Sequence, residues 1–127
     1  MKVAISAGGK HFDSPVESSF ESAKYFIIVD PDSPLSEKYG LLRNPRVNTL
    51  EPSGVLTAQM LINNGIDCLI TGSCDPSAIR IFQAARIPVF GVRDSSVRKI
   101  AEQIRNNNYP GNELTGIVNP EKIKSDK

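Results

Sequence analysis

The hydrophobic period of this chain changes near Pro52, and that change restricts the fold more than any other feature of the sequence. Before it, two short apolar runs rich in β-branched and aromatic residues, KVAIS (2–6) and KYFIIVD (24–30), are bounded by Gly, Ser, Pro and Asp, which is the signature of strands. YGLLRN (39–44) reads as a weaker third strand. After Pro52 the pattern alternates helix, strand, helix, strand, helix. Ser53 can cap a helix over 54–64 that Gly65 closes, and DCLIT (67–71) follows as a strand. Asp75 and Pro76 supply the N-cap and first position of a second helix to about Ala85. IPVFGV (87–92) is the last strand, and Val97, Ile100, Ala101 and Ile104 mark one face of a third helix near 95–106. Strands first and β-α units afterwards predict an α/β fold with a mixed sheet, antiparallel at one side and parallel at the other, flanked by helices.

A chain of 127 residues with no linker or internal repeat is expected to form one domain over 1–105. Residues 106–127, rich in Asn, Pro, Gly and Lys, form a polar tail of that domain with a short strand expected at LTGIV (114–118). Fifteen basic and fourteen acidic residues leave a formal charge of +1, which gives no electrostatic case for nucleic acid or a membrane surface. No run approaches the roughly 20 apolar residues of a bilayer span, and MKVAISAGGK lacks the apolar stretch of a signal peptide. The expectation is a soluble cytoplasmic protein, as monomer or homodimer. Its two cysteines are then expected as free thiols. If Cys68 lies in a strand, the steps to Thr71 alone cover about 10 Å, beyond the roughly 7 Å that a Cys68–Cys74 bridge allows between Cα atoms.

In sheets of this kind, ligands bind where strands run out into loops at their carboxyl ends. Two such loops carry chemistry. SAGGKHFDS (6–14) offers Gly9, Lys10 and the only histidine, His11; TGSCDPS (71–77) offers Gly72, Ser73 and Cys74 immediately before a helix. Backbone N–H groups at glycine turns and helix starts attract anions, and the same partial charge lowers a nearby thiol's pKa. Each residue also has an ordinary role: the glycines in tight turns, Lys10 as a solvated charge, His11 as a loop residue, Cys68 as a small core residue. GGK is not a Walker loop, which needs G-x-x-x-x-G-K-[ST].

The order of the whole text adds a resemblance. MKVAISAGGK, FDSPVESSFESAKYFIIVD (12–30) and GVLTAQMLINNGIDCLITGSCDPSAIRIFQAARIPVFGV (54–92) together are similar to the dinitrogenase iron-molybdenum cofactor biosynthesis family, the NifX and NafY type of domain, with DCLITGSC the most specific part. The resemblance covers roughly 1–105. It implies a ribonuclease H-like α/β fold and an accessory protein that binds or carries an iron-sulfur or iron-molybdenum type cluster, with cluster-assembly or acceptor proteins as partners. Two positions that commonly hold arginine in the family are Ser19 and Ser22 here, and the Gly-Pro that often follows the cysteine is Asp75-Pro76.

Thiolate is a soft ligand suited to metal sulfides and imidazole suits iron, which makes Cys74 and His11 the candidate metal ligands. One cysteine and one histidine cannot close a four-ligand site, so a preassembled cluster would be held by one or two ligands and N–H donors, or be shared by two chains. A metal-free interaction or regulatory module of the same fold is the alternative. A Mg-dependent phosphodiesterase using Asp13, Asp30 and Asp94 ranks below both, because these carboxylates show no catalytic spacing. No nucleophile-base pair stands at a motif spacing, so no enzyme is expected.

Overall fold

A computed structural model describes residues 1–32, 39–44 and 54–116. Six strands form one sheet: β1 (Val3–Ala7), β2 (Tyr25–Val29), β3 (Gly40–Arg43), β4 (Cys68–Thr71), β5 (Val89–Gly91) and β6 (Asn112–Glu113), in the order β3-β2-β1-β4-β5-β6. β1 pairs antiparallel with β2 and parallel with β4, β4 pairs parallel with β5, and the outer strands β3 and β6 are antiparallel to their neighbours. The helices are α1 (Gly54–Asn63), α2 (Pro76–Ala84) and α3 (Val97–Arg105). The mixed sheet and the three helices agree with the periodicity; the expected cap at Ser53 lies outside the described residues.

Strand alternation divides the core in two. Ala4, Phe26, Leu69 and Val89 face α1 and α2, meeting Ala58, Leu61, Ala78 and Phe82. Their neighbours Val3, Ile5, Ile27, Cys68, Ile70 and Phe90 point to the other face, under the Val97, Ile100, Ala101 and Ile104 stripe of α3. The apolar residues on both faces of β1 and β4 explain why these central strands read as continuous apolar runs. Cys68 is fully buried, as its place in the strand predicts.

Two details depart from the sequence reading. The last short strand is Asn112–Glu113 rather than 114–118, of which 117 and 118 lie outside the described residues. Gly111, at φ 77°, turns the chain onto β5, and the Glu113 carboxylate then accepts from the Thr115 hydroxyl and the Thr115 and Gly116 N–H groups, which bends the chain away after two residues. Asp75 occupies the N-cap position of α2 with extended backbone, yet its side chain makes no capping bond. Its Oδ1 is instead buried against the start of α1, where a Cβ on Gly54 would stand 2.2 Å from it.

One loop side chain locks the α1–α2 layer to the sheet. Phe20 is fully buried, 5.5 Å from the Phe26 ring of β2 and 5.7 Å, edge-on, from the Phe82 ring of α2. Phe20→Ala should therefore cost about 3–5 kcal/mol of unfolding free energy in denaturant titration. A loss below about 1 kcal/mol would mean that neighbouring side chains refill the space.

Candidate functional site

Parallel pairing of β1, β4 and β5 places their carboxyl ends on one edge of the sheet, beside the amino ends of β2 and β6. Three loops leave from that edge: 8–15 after β1, 72–75 after β4, and 92–96 after β5. The sequence points to the first two; the third is added by the structure.

The β4 loop is braced by the segment that follows the β1 loop. Gly72 N–H donates to Glu17 O at 3.0 Å, the Ser73 hydroxyl donates to Ser18 O at 2.9 Å, and Phe20 N–H donates to Ser73 O at 2.9 Å. Beneath them the buried Ser6 hydroxyl donates to Thr71 Oγ1 at 2.8 Å. A Cβ on Gly72 would stand 2.5 Å from Ser18 Cα and from Ser18 O, so the backbones approach as closely as only glycine permits. Gly72 and Ser73 thus spend a donor each on this brace, not on a ligand. Cys74, the next residue, is half-buried against the α1–α2 layer.

The thiol environment corrects one expectation. Burial first, then the Asp75 and Glu21 carboxylates, push the Cys74 pKa up to about 12, so the free thiol is protonated at neutral pH. Two carboxylates and partial desolvation outweigh the start of α2, whose effect would run the other way. Glu21 Oε1 and Asp75 Oδ1 are both buried without a hydrogen-bond partner among the described residues. Burial raises the Cys68 thiol even further.

The β1 loop is closed on itself. His11 N–H donates to Ser14 Oγ at 3.1 Å, Ser14 N–H donates back to His11 O at 2.9 Å, and a Cβ on Gly9 would stand 2.8 Å from that Ser14 Oγ. Its far side is tied to α3: Val97 N–H donates to Ser14 O, and Arg98 meets Asp13 at 2.5 Å, a bond that holds the exposed Asp13 carboxyl below its usual range. The Lys10 ammonium lies 5.8 Å from the Tyr25 ring, which Arg43 approaches at 5.9 Å, and Lys10 O accepts from the Tyr39 hydroxyl. His11 is exposed. Gly72, Ser73 and Cys74 are thus grouped with residues 17–21, whereas Gly9, Lys10 and His11 lie along the same edge toward β2. Among the described residues no hydrogen bond, ion pair or ring contact joins Lys10 or His11 to Cys74.

The β5 loop opens a cleft of about 490 Å³ between α3 and the β5–β6 pair. Gly72 and Gly91 lie at its floor, and Arg93 and Lys99 supply its charge. The signal for it was present in GVRDSSVRK, a strand end followed by a cation, a helix cap and further cations. Ser96 does cap α3, accepting from Lys99 N–H at 3.2 Å.

These features define a small mixed α/β domain, with its candidate chemistry collected on the carboxyl edge of the sheet. A family model described as dinitrogenase iron-molybdenum cofactor matches residues 1–107, and the chain belongs to that family. Among solved structures it is similar to the apo form of the orange protein from Desulfovibrio gigas, with 26% identity and a TM-score of 0.75 over 87% of this chain and 92% of that one. It is also similar to a Thermotoga protein provisionally assigned as NifB, with 26% identity and a TM-score of 0.71 over 93% and 97% of the two chains. A provisionally assigned dinitrogenase from Methanocaldococcus jannaschii, 19% identical over 91% of this chain and 95% of that one, shares the fold with a TM-score of 0.65. Comparison with the curated proteins gives no match. No helix among the described residues is long and apolar enough to cross a membrane.

The raised thiol pKa sets a pH dependence. Protonated Cys74 is favoured in the folded chain relative to the unfolded one, so its contribution to stability is complete below the ordinary thiol range and is lost as pH rises toward 12. Iodoacetamide should label native Cys74 slowly at about pH 8, Cys68 more slowly still, and both at the ordinary rate once denaturant unfolds the chain. Fast native labelling of Cys74 at that pH would show a thiolate that this environment does not favour.

Proposed function

We propose that this protein is a cytoplasmic accessory protein of iron-molybdenum cofactor biosynthesis, without catalytic activity of its own, that carries a preassembled iron-sulfur or iron-molybdenum type cluster as cargo. Cluster-assembly or acceptor proteins would be its partners. The strand order β3-β2-β1-β4-β5 supports a ribonuclease H-like designation for the sheet. The observation that carries the reading is the half-exposed Cys74 thiol, presented by a rigidly braced turn on the carboxyl edge of a chain belonging to this family. Among the described residues no three His, Cys, Asp or Glu side chains converge as a metal site, so the donor set does not suit a bare ion. A cluster that brings its own sulfides needs fewer protein ligands. In this reading Cys74 is the soft ligand, His11 a second ligand supplied from the neighbouring loop, and Lys10 a counter-charge, with Gly9, Gly72 and Ser73 shaping the backbone around them. Two chains of a homodimer could share the load, or a monomer could hold it with its single pair.

The protonated thiol makes this carrier pH-dependent, because a metal must displace the proton from Cys74. Cluster loading should rise with pH through the neutral range. Cys74→Ser should reduce loading roughly tenfold, the scale lost when even an outer partner of a metal site is removed. His11→Ala should reduce it less. Ser19→Arg places a cation beside the turn, since Ser19 bridges to Ser73, and should lower the thiol pKa and raise loading. Anaerobic reconstitution with iron and sulfide, read by visible absorption and metal analysis, measures all three. Equal loading by Cys74→Ser and the unmodified chain would leave the metal-free interaction module as the reading.

A further inference from the structure

The cleft between α3 and the β5–β6 pair shares Gly72 with the Cys74 turn but contains neither of the proposed cargo ligands, Cys74 and His11. We propose that it is a binding site for a small organic molecule bearing a phosphate or polycarboxylate group. Its volume, about 490 Å³, falls in the range of small-molecule sites.

Charge is the first argument. Arg93 and Lys99 both line the cleft, both are exposed, and neither has an ion-pair partner among the described residues. Among the described residues the lining contains no carboxylate. Two like charges facing one concavity repel each other, and the nearest remedy is an anion between them. Among the described residues the cleft also has no histidine, cysteine, aspartate or glutamate to ligate a metal.

The shape of the floor is the second. A Cβ on Gly91 would stand 3.2 Å from Gly72 O and 3.3 Å from Leu114 Cδ1, both lining the cleft, so the floor is packed at backbone level with little room for a side chain at 91. Gly91 ends β5 and Gly72 follows the last residue of β4, so bare backbone from two neighbouring strands lies where a ligand would rest. The walls are the third. The part-exposed Leu114 gives an apolar surface, and Gln103 and Asn112 give amides. A naked inorganic ion would use only the cations, whereas an oxyanion attached to a carbon skeleton uses the whole cleft. Finally, the turn that carries Arg93 and Ser95 passes through Asp94 at φ 51°, a left-handed conformation uncommon outside glycine, while Ser95 O accepts from Val16 N–H at 2.9 Å. The cationic rim is held in place rather than left to a mobile loop.

Isothermal titration of the metal-free protein with ribose 5-phosphate, tricarballylate and inorganic phosphate tests the site. One organic probe should bind at least about tenfold more tightly than inorganic phosphate, and which one binds separates the phosphate ester from the polycarboxylate. Arg93→Ala with Lys99→Ala should weaken that probe by about a hundredfold, roughly a factor of ten per cation, with far-UV circular dichroism unchanged because both side chains are exposed. Leu114→Ser should weaken the organic probe but not inorganic phosphate. Equal binding of all three probes, binding that survives loss of both cations, or no binding by any probe each overturns the assignment. None of these outcomes touches the Cys74 experiment, which reads metal.

Discussion

The close approach of Gly72 to Ser18 is the constraint on which the carboxyl edge depends. The turn after a central strand can be crossed by another stretch of backbone only if the crossing residue has no side chain, and the 2.5 Å separation a Cβ would meet shows how little room exists. Once the two backbones touch, Glu17 O, Ser18 O and Ser73 O all find donors, and the buried Ser6–Thr71 pair closes the polar space below. Phe20 then has one place to go, between Phe26 and Phe82. The orientation of the Cys74 turn and the packing of α2 on the sheet follow from that single contact. A turn braced in this way fixes the direction in which Cys74 is presented, as its proposed ligand role would require.

How much of this was legible in the sequence differs by element. Helical periodicity in VRKIAEQIR specified α3 closely, because its buried stripe and its polar face alternate without exception. The central strands were legible for the opposite reason, being apolar on both faces. What could not be read was which loops meet. Gly9-Lys10-His11 and Gly72-Ser73-Cys74 look equivalent as text, but the first loop leans on α3 through Asp13–Arg98 and the second leans on residues 17–21. That difference depends on pairings more than fifty residues apart. Asp75 shows the limit at closer range. Asp-Pro before a helix reads as a cap, yet the carboxylate turns to the start of the neighbouring helix, an outcome decided by how α1 and α2 pack.

The electrostatics of the edge are divided rather than uniform. At the Cys74 turn, Glu21 and Asp75 are both acidic and both half-buried, and they oppose any charge on the thiol. Toward β5 the sign reverses, with Arg93 and Lys99 around a cleft that contains no acid. Toward β2, Lys10 and Arg43 lie over the Tyr25 ring. A formal net charge of +1 conceals this arrangement entirely, since a balanced composition says nothing about where each sign is placed.

That division bears on the carrier role proposed for this protein. A thiol with a low pKa binds metal tightly at neutral pH and releases it slowly, whereas one kept protonated by nearby carboxylates binds only what can displace its proton. Raising the thiol pKa therefore weakens the hold on cargo without altering the ligand. The serines at positions 19 and 22 act in the same direction, because a cation at either place would favour the thiolate and strengthen the bond. In the proposed carrier, affinity at this edge would be set by the residues that surround Cys74 as much as by the sulfur itself, and those residues can change while the Gly72–Ser18 contact and the fold that depends on it remain as they are.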